Sequence, residues 1–337
     1  MPELPEVETT TQGIRKYAVG KTIVDCWTDY DSAFHAGKEN IKDPKYFKEF
    51  KKLVVGTKII GAERRAKNIL VHLSPSEMDG KKYTLLIHLK MTGHVLYGKY
   101  SFDVKNKKFP WTPDDKAGAL ADPFNRFIHF VLTLDGLDGH LSRQEDHPSR
   151  PAQPVHLALS DMRKFAKVTL IETDTLDTSL HTAHLGPEPL LTSFDLKKFK
   201  DRLSKSVRST KSAKMPIKSA LMDQKLIAGI GNIYSDEILW RAGVHPESGF
   251  GAIPEKQVAL MFKAMKEVLK KGIDLGGDSM SDYRNLDGER GKFQEHHEAY
   301  QRKNEPCRKK SCGGKILRKV IKGRSGHFCD THQKLFL

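Results

Sequence analysis

Leu221-Met222-Asp223-Gln224-Lys225-Leu226-Ile227-Ala228-Gly229-Ile230-Gly231-Asn232-Ile233-Tyr234 runs an apolar helix into a Gly-x-Gly-Asn turn, with a second helix beginning near Ile233. Apolar residues at helical spacing flank it on both sides. Leu196, Phe199, Leu203 and Val207 come before it, and Val258, Met261, Met265 and Leu269 follow between Pro254 and Gly272. The second part of the chain is therefore expected to be helical. Backbone amides exposed at the turn are suited to hold a phosphate. Upstream, Leu185-Gly186-Pro187-Glu188-Pro189-Leu190 breaks all periodicity with two prolines and a glycine and reads as an interdomain linker.

Ahead of the linker the pattern changes to short alternating runs: Thr22–Trp27, Ile69–Leu73, Thr84–Leu89, Phe127–Leu134, Val155–Leu159 and Lys167–Thr173. Their spacing predicts a β-sandwich, preceded by a helix over Pro5–Tyr17. Two stretches, about 98–123 and 136–154, are rich in Lys, Asp, Gly and Pro with little periodicity, and are expected to be mobile insertions.

The chain opens Met1-Pro2-Glu3-Leu4-Pro5-Glu6. Removal of Met1 leaves the secondary amine of Pro2 beside two carboxylates. An α-amino group titrates at about 7.7 to 8.0, so part of it is unprotonated near neutrality and able to attack a sugar carbon. The residues also admit a plainer reading, in which Pro2 and Pro5 stiffen an exposed end and Glu3 and Glu6 favour a helix dipole.

At the other end, Cys307-x4-Cys312 and Cys329-x2-His332 supply four ligands in two close pairs separated by a hairpin length, which fits one closed, structural zinc ion. Cys26, beside Trp27, is expected to be a buried apolar side chain. Between the two pairs lie Lys315, Arg318, Lys319, Lys322 and Arg324, a basic hairpin whose tip would hold Arg324 outward toward phosphates. Lys plus Arg number 57 against 42 Asp plus Glu, a formal net charge of +15, so polyanions are the leading partners. No apolar run is long enough to span a bilayer and no secretory signal opens the chain, so an intracellular, reducing compartment is expected.

The opening Met1-Pro2-Glu3-Leu4-Pro5-Glu6-Val7-Glu8, the Gly-Ile-Gly-Asn-Ile-Tyr segment and the C-terminal Cys/His pairs, in that order, resemble formamidopyrimidine-DNA glycosylase. The resemblance implies an α+β multidomain fold. A catalytic N-terminal β-sandwich with a leading helix would span 1–185 and carry the insertions. Residues 186–294 would hold the linker, a helix-two-turn-helix DNA-binding domain and a lesion-capping loop at Gly276–Arg284, and 295–337 a zinc-finger β-hairpin.

It further implies a bifunctional glycosylase and AP lyase of base excision repair that acts on damaged double-stranded DNA. Pro2 would be the nucleophile, Glu3 the acid that opens the deoxyribose ring, Glu6 its support, and Lys67 a phosphate- and pocket-contacting lysine. Asn232 and Arg324 would clamp the phosphates around the lesion, with Lys218 and Tyr300 at further DNA-contacting positions. Met91, Arg163 and Phe165 would fill the void left by the extruded nucleotide, with the arginine facing the orphaned cytosine. The family's endonuclease VIII branch, which acts mainly on oxidised pyrimidines, usually has glycine where Leu4 stands here, so Leu4 points to oxidised or ring-opened purines. A relative that binds lesions without cutting is the other alternative.

The chain departs from the family pattern in His332, where cysteine is usual, in the four-residue spacing of the first ligand pair, and in Met162, Lys164 and Ala166 around the wedge. One active site per chain makes a monomer sufficient. Cytoplasm or nucleoid is the expected location in a bacterium, and nucleus in a eukaryote.

Overall fold

The computed structural model describes residues 1–136, 153–208 and 215–337, and the mobility expected of 136–154 falls almost wholly outside them. In chain order the elements are α1 (Leu4–Tyr17), β1 (Ile23–Thr28), α2 (Pro44–Val54), β2 (Ile59–Arg65), β3 (Asn68–Leu73), β4 (Tyr83–His88), β5 (His94–Gly98), β6 (Tyr100–Phe102), β7 (Trp111–Pro113), β8 (Ile128–Leu134), β9 (Val155–Ser160) and β10 (Lys167–Glu172). There follow α3 (Leu196–Arg208), α4 (Ile217–Met222), α5 (Asn232–Ala242), α6 (Glu255–Asp274), β11 (Ile316–Ile321) and β12 (Arg324–Cys329).

Two four-stranded antiparallel sheets, ordered β1-β8-β9-β5 and β10-β4-β3-β2, form the sandwich. Strand alternation sends Ile69, Val71, Leu85 and Ile87 into the main core with Cys26, Phe130, Leu132 and Leu159. Their neighbours Leu70 and Leu86 join Ile171 in a small cluster of their own. Because both sets are buried, β3 and β4 read as near-continuous apolar runs.

The stretch expected to be a mobile insertion over 98–123 is instead folded. Trp111 on β7 packs edge-on against Trp27 at 5.8 Å, and with Tyr100, Leu96, Ile128 and Val131 it builds a satellite core. A few large apolar side chains, too sparse to show a period, suffice to order it.

Helix α1 bridges two cores. Val7 and Ile14 are buried in the sandwich, whereas Leu4 belongs to the helical core of Phe199, Leu221, Ile230, Tyr234, Ile238 and Met265. The Leu4 amide donates to the Gly229 carbonyl at 3.0 Å. Gly229 has φ +95°, and a β-carbon there would lie 2.7 Å from Leu4, so only glycine permits this approach. The chain end ahead of Leu4 is thereby fixed against the turn before α5.

The linker is stapled to both sides: Gly186 N–H donates to the Gln224 carbonyl, and Glu188 accepts from Arg64 (2.5 Å), Arg65 (3.0 Å) and the Ala66 amide (2.6 Å). At the C-terminus β11 and β12 pair through the Lys322-Gly323 turn, with φ +46° and +79°, a hairpin geometry that suits glycine at the second position.

Candidate active site and metal centre

A cleft of about 450 Å3 opens where α1, the β2–β3 turn, the start of α5 and the β11–β12 tip meet, and Met1, Glu3, Lys67, Met91, Asn232, Tyr300 and Arg324 line it. Residues far apart in sequence thus converge beside the chain end. Pro2 is buried, while Met1, 38% exposed, lies in the cleft and its carbonyl still occupies the Pro2 nitrogen. Cleavage of that peptide bond would present the proline nitrogen to the cavity.

Much of the Gly-x-Gly-Asn turn is already engaged: Gly229 N–H donates to Gln224 Oε1 at 2.8 Å, and the Glu3 carboxylate accepts from Gly231 at 2.6 Å and, at the start of α5, from Ile233 at 2.8 Å and Tyr234 at 3.4 Å. A helix N-terminus favours an anion, and here the chain supplies its own. A β-carbon at Gly231 would lie 2.4 Å from the Glu3 carboxyl carbon, which explains the second glycine of the turn.

Glu6 lies beneath the cleft. Its carboxylate accepts from the Glu3 amide, the Tyr234 hydroxyl and the Asp278 amide, each at 2.7 Å. Burial, and then the neighbouring charge of Glu3, push its pKa from 4.5 up to about 7, against the lowering effect of the hydrogen bonds. A carboxyl with a raised folded pKa is fully stabilising below its unfolded pKa and loses that contribution as pH rises through the folded one. Stability should therefore fall between about pH 4.5 and 7, by on the order of 3 kcal/mol for 2.5 pKa units. Thermal melting of wild type and Glu6→Gln across this window checks it: the difference between the two profiles should slope in the wild type's disfavour as pH rises, and parallel profiles would refute it.

Lys67 follows Ala66, which has φ +56°, in the β2–β3 turn held by Glu188. Burial lowers the pKa of its amine, the carboxylates of Glu3 and Glu6 oppose that, and Arg324 adds to it. Asn232 donates from Nδ2 to Ser325 Oγ at 3.3 Å, while its buried Oδ1 has no partner among the described residues. Tyr300 stands edge-on to His297 at 5.4 Å and to His327 at 5.2 Å.

Lys218, expected at the DNA surface, is not there. It is fully buried, and its Nζ donates to Asp236 (2.6 Å), Ser235 (3.0 Å) and the Asn232 carbonyl (3.3 Å). Asp236 also accepts from the backbone and ring of His327 on β12. Lys218 neutralises a buried carboxylate that joins α5 to the hairpin, so it positions Asn232 rather than touching solvent.

Of the three expected wedges only Met91 lines the cleft. Arg163 and Phe165 stand on the β9–β10 turn, with the guanidinium 4.7 Å from the ring centre and Phe165 49% exposed. Thr92 ties the two turns together, hydrogen bonding to Asp161 and accepting from the Arg163 amide at 3.2 Å. The Gly276–Arg284 segment, expected to cap the lesion, is held at its far end, where Tyr283 is buried with its hydroxyl donating to the Glu6 carbonyl and Arg284 pairs with Asp122, while Met280 and Ser281 are exposed. Sequence reading passed over Glu188, Asp161 and Asp122. Each looked like ordinary loop punctuation, and only the fold reveals its partners.

Cys307, Cys312, Cys329 and His332 bring their ligand atoms within 4.8 Å of one another. Cys312 Sγ lies 3.5 Å from Cys329 Sγ, and His332 Nδ1 is 3.4 Å from Cys307 Sγ and 3.7 Å from Cys312 Sγ. A tetrahedron with metal–sulfur bonds near 2.3 Å has edges of about 3.8 Å, so the cluster fits such an ion. His332 Nε2 sits 2.9 Å from the Trp240 carbonyl. That contact places the ring proton on Nε2 and leaves the Nδ1 lone pair facing the sulfurs, the outer-shell arrangement a metal-binding histidine needs. Among the described residues no helix is long and apolar enough to cross a membrane.

Residues 1–168 match the family model described as formamidopyrimidine-DNA glycosylase N-terminal domain, and residues 185–284 that described as formamidopyrimidine-DNA glycosylase H2TH domain. The formamidopyrimidine-DNA glycosylases of Bacillus licheniformis and Bacillus subtilis are each 34% identical to the chain. The alignments run over 338 and 333 residues and cover 99% of this chain with 100% and 99% of the relatives. Among solved structures, a complex between the Lactococcus lactis Fpg and an abasic site containing DNA superposes with a TM-score of 0.72 at 30% identity, covering 97% of both chains. A variant of the same protein bound to a Fapy-dG containing DNA gives 0.72 and 30%, over 97% of this chain and 98% of the other.

Proposed function

Because the chain belongs to the formamidopyrimidine-DNA glycosylase family, we propose that it excises oxidised or ring-opened purines, such as 8-oxoguanine and formamidopyrimidines, from duplex DNA and then cuts the strand at the abasic site. At the coarser level it is a DNA glycosylase of base excision repair. The observation that carries the finer reading is the anchoring of the first residues: Leu4 in the helical core and Glu3 on the α5 amides hold Pro2 at a cleft that also receives Lys67 and Arg324.

The freed Pro2 nitrogen attacks C1′, and the glycosidic bond breaks with its electrons leaving on the base. Protonation of the ring oxygen opens the sugar, and Glu3 is placed to assist. The resulting iminium acidifies the C2′ proton, so its loss expels the 3′ phosphate, and a second elimination expels the 5′ phosphate. Lys67 and Arg324 supply the positive charge that draws in and holds the flanking phosphates, with Asn232 and Tyr300 on the same wall. Met91, Arg163 and Phe165 occupy the gap in the stack. The metal is one structural zinc held by Cys307, Cys312, Cys329 and His332, whose four positions leave no open site for chemistry.

A panel of duplexes carrying 8-oxoguanine opposite cytosine, a formamidopyrimidine, an oxidised pyrimidine or an abasic site tests this. Cleavage led by the first two is expected. Preference for the pyrimidine would place the protein with the endonuclease VIII branch, and tight binding without any cleavage would make it a lesion-binding relative.

A further inference from the structure

The folded insertion carries a second cation–aromatic cluster that the reaction does not use. The Arg126 guanidinium lies 5.0 Å from the Phe109 ring and 5.1 Å from the Phe127 ring, which themselves meet edge to face at 5.6 Å, while Lys108 Nζ lies 5.3 Å from the Phe109 ring. Lys105, Lys107 and Lys108 at the tip between β6 and β7 are exposed, and among the described residues none of them, nor Arg126, pairs with a carboxylate.

The acidic residues of the same segment are already engaged. Asp122 holds Arg284, Asp114 holds Ser101, and Asp103 and Asp115 accept from amides of their own turns. Asp103, Asp114 and Asp115 stay exposed, yet Lys and Arg outnumber Asp by six to four over residues 98–126, so the element shows solvent a modest positive excess with the half-exposed Phe102 ring among it. Its base is rigid, anchored by Trp111 against Trp27.

The cluster is continuous with the wedge. The Phe127 carbonyl accepts from the Asp161 amide at 2.8 Å, two residues before Arg163, and Ser160 Oγ donates to the Phe124 carbonyl at 3.1 Å. Two cation–aromatic stacks, Arg126 with Phe109 and Phe127, and Arg163 with Phe165, thus stand on adjoining loops.

We propose that the hairpin of residues 98–126 is an additional DNA-contacting element that grips the undamaged strand beside the orphaned base, Lys105, Lys107 and Lys108 meeting its phosphates and Phe109 packing on its sugar–base edge. This rests on the glycosylase reading, from which Arg163 faces the base opposite the lesion. Charge complementarity and continuity with that surface select duplex DNA as the occupant.

The test uses full-length protein and a lesion duplex with long flanks. Replacing Lys105, Lys107 and Lys108 together by alanine should weaken binding and flatten the log Kd against log salt plot by about 0.9 per lost phosphate contact. Phe109→Ala should weaken it about tenfold. Single-turnover excision at saturating enzyme should stay at the wild-type rate in both. Methylphosphonates on the undamaged strand beside the orphaned base should erase the penalty of the lysine variant.

Wild-type affinity and salt slope in the lysine variant, whose substitutions are all exposed, would overturn the proposal. So would a penalty erased only when the damaged strand is neutralised. Wild-type protein that cuts no lesion would instead count against the glycosylase reading, and the two failures are read in different lanes.

Discussion

Protein carrying one extra residue ahead of Pro2 is expected to form no borohydride-trapped adduct and to cut no lesion duplex, while still binding it. Inside a peptide bond the proline nitrogen shares its lone pair with the carbonyl and is not a nucleophile. The rival amine is Lys67, which lines the same cleft and whose pKa burial lowers.

The extension falls on a residue already 38% exposed in the cleft, so the fold has no reason to change. Loss should exceed about a thousandfold, since the covalent route to strand cleavage is removed rather than slowed. Intact mass separates the species with and without Met1, and a covalent protein–DNA band on sodium borohydride treatment reads the result. An adduct of equal yield in the extended protein would move the nucleophile to another residue.

Much of this arrangement is legible in the chain. Four metal ligands in 26 residues satisfy a demand that few other uses impose, and the glycines at 229 and 231 mark a backbone approach that the structure supplies. The strands around Ile69–Leu73 and Thr84–Leu89 follow from short apolar runs bounded by turn residues.

What escaped was settled at long range. The Gly231 amide looked open because the carboxylate that meets it lies 228 residues earlier. Lys218 looked exposed because lysine usually is, and only the packing of α4 on α5 shows its buried partner. Helix α2 went unseen although its signal is in the chain: Tyr46, Phe47, Phe50, Leu53 and Val54 recur at helical spacing behind an Asp43 cap and Pro44. The hairpin at 98–126 depends on Trp111 finding Trp27 across 84 residues, and no local pattern announces that contact.

Metal removal should be the other severe lesion, and its size follows from what else holds the C-terminal hairpin. A two-stranded hairpin is marginal by itself. Two bonds from His327 to Asp236 fasten it to α5, each worth about 1.5 to 3 kcal/mol as a bond to a charged group. A structural zinc site of this kind contributes roughly 10 to 16 kcal/mol at neutral pH, so the metal dominates. With it gone, the segment around Cys307 and Cys312 loses its tie to Cys329, and the register that places Arg324 opposite Ile321 at the mouth of the cleft loosens. Cysteine-to-serine change at Cys312, or exhaustive chelation, should leave the sandwich folded, lower lesion-duplex affinity and reduce cleavage by about a hundredfold or more. His332→Cys should keep one metal per chain and near wild-type cleavage, because a thiolate serves the same corner of the tetrahedron, whereas His332→Ala should lose both. Elemental analysis beside single-turnover cleavage decides the matter: a metal-free protein that cuts at the wild-type rate would show that the hairpin's contacts with the helical domain hold it without the metal.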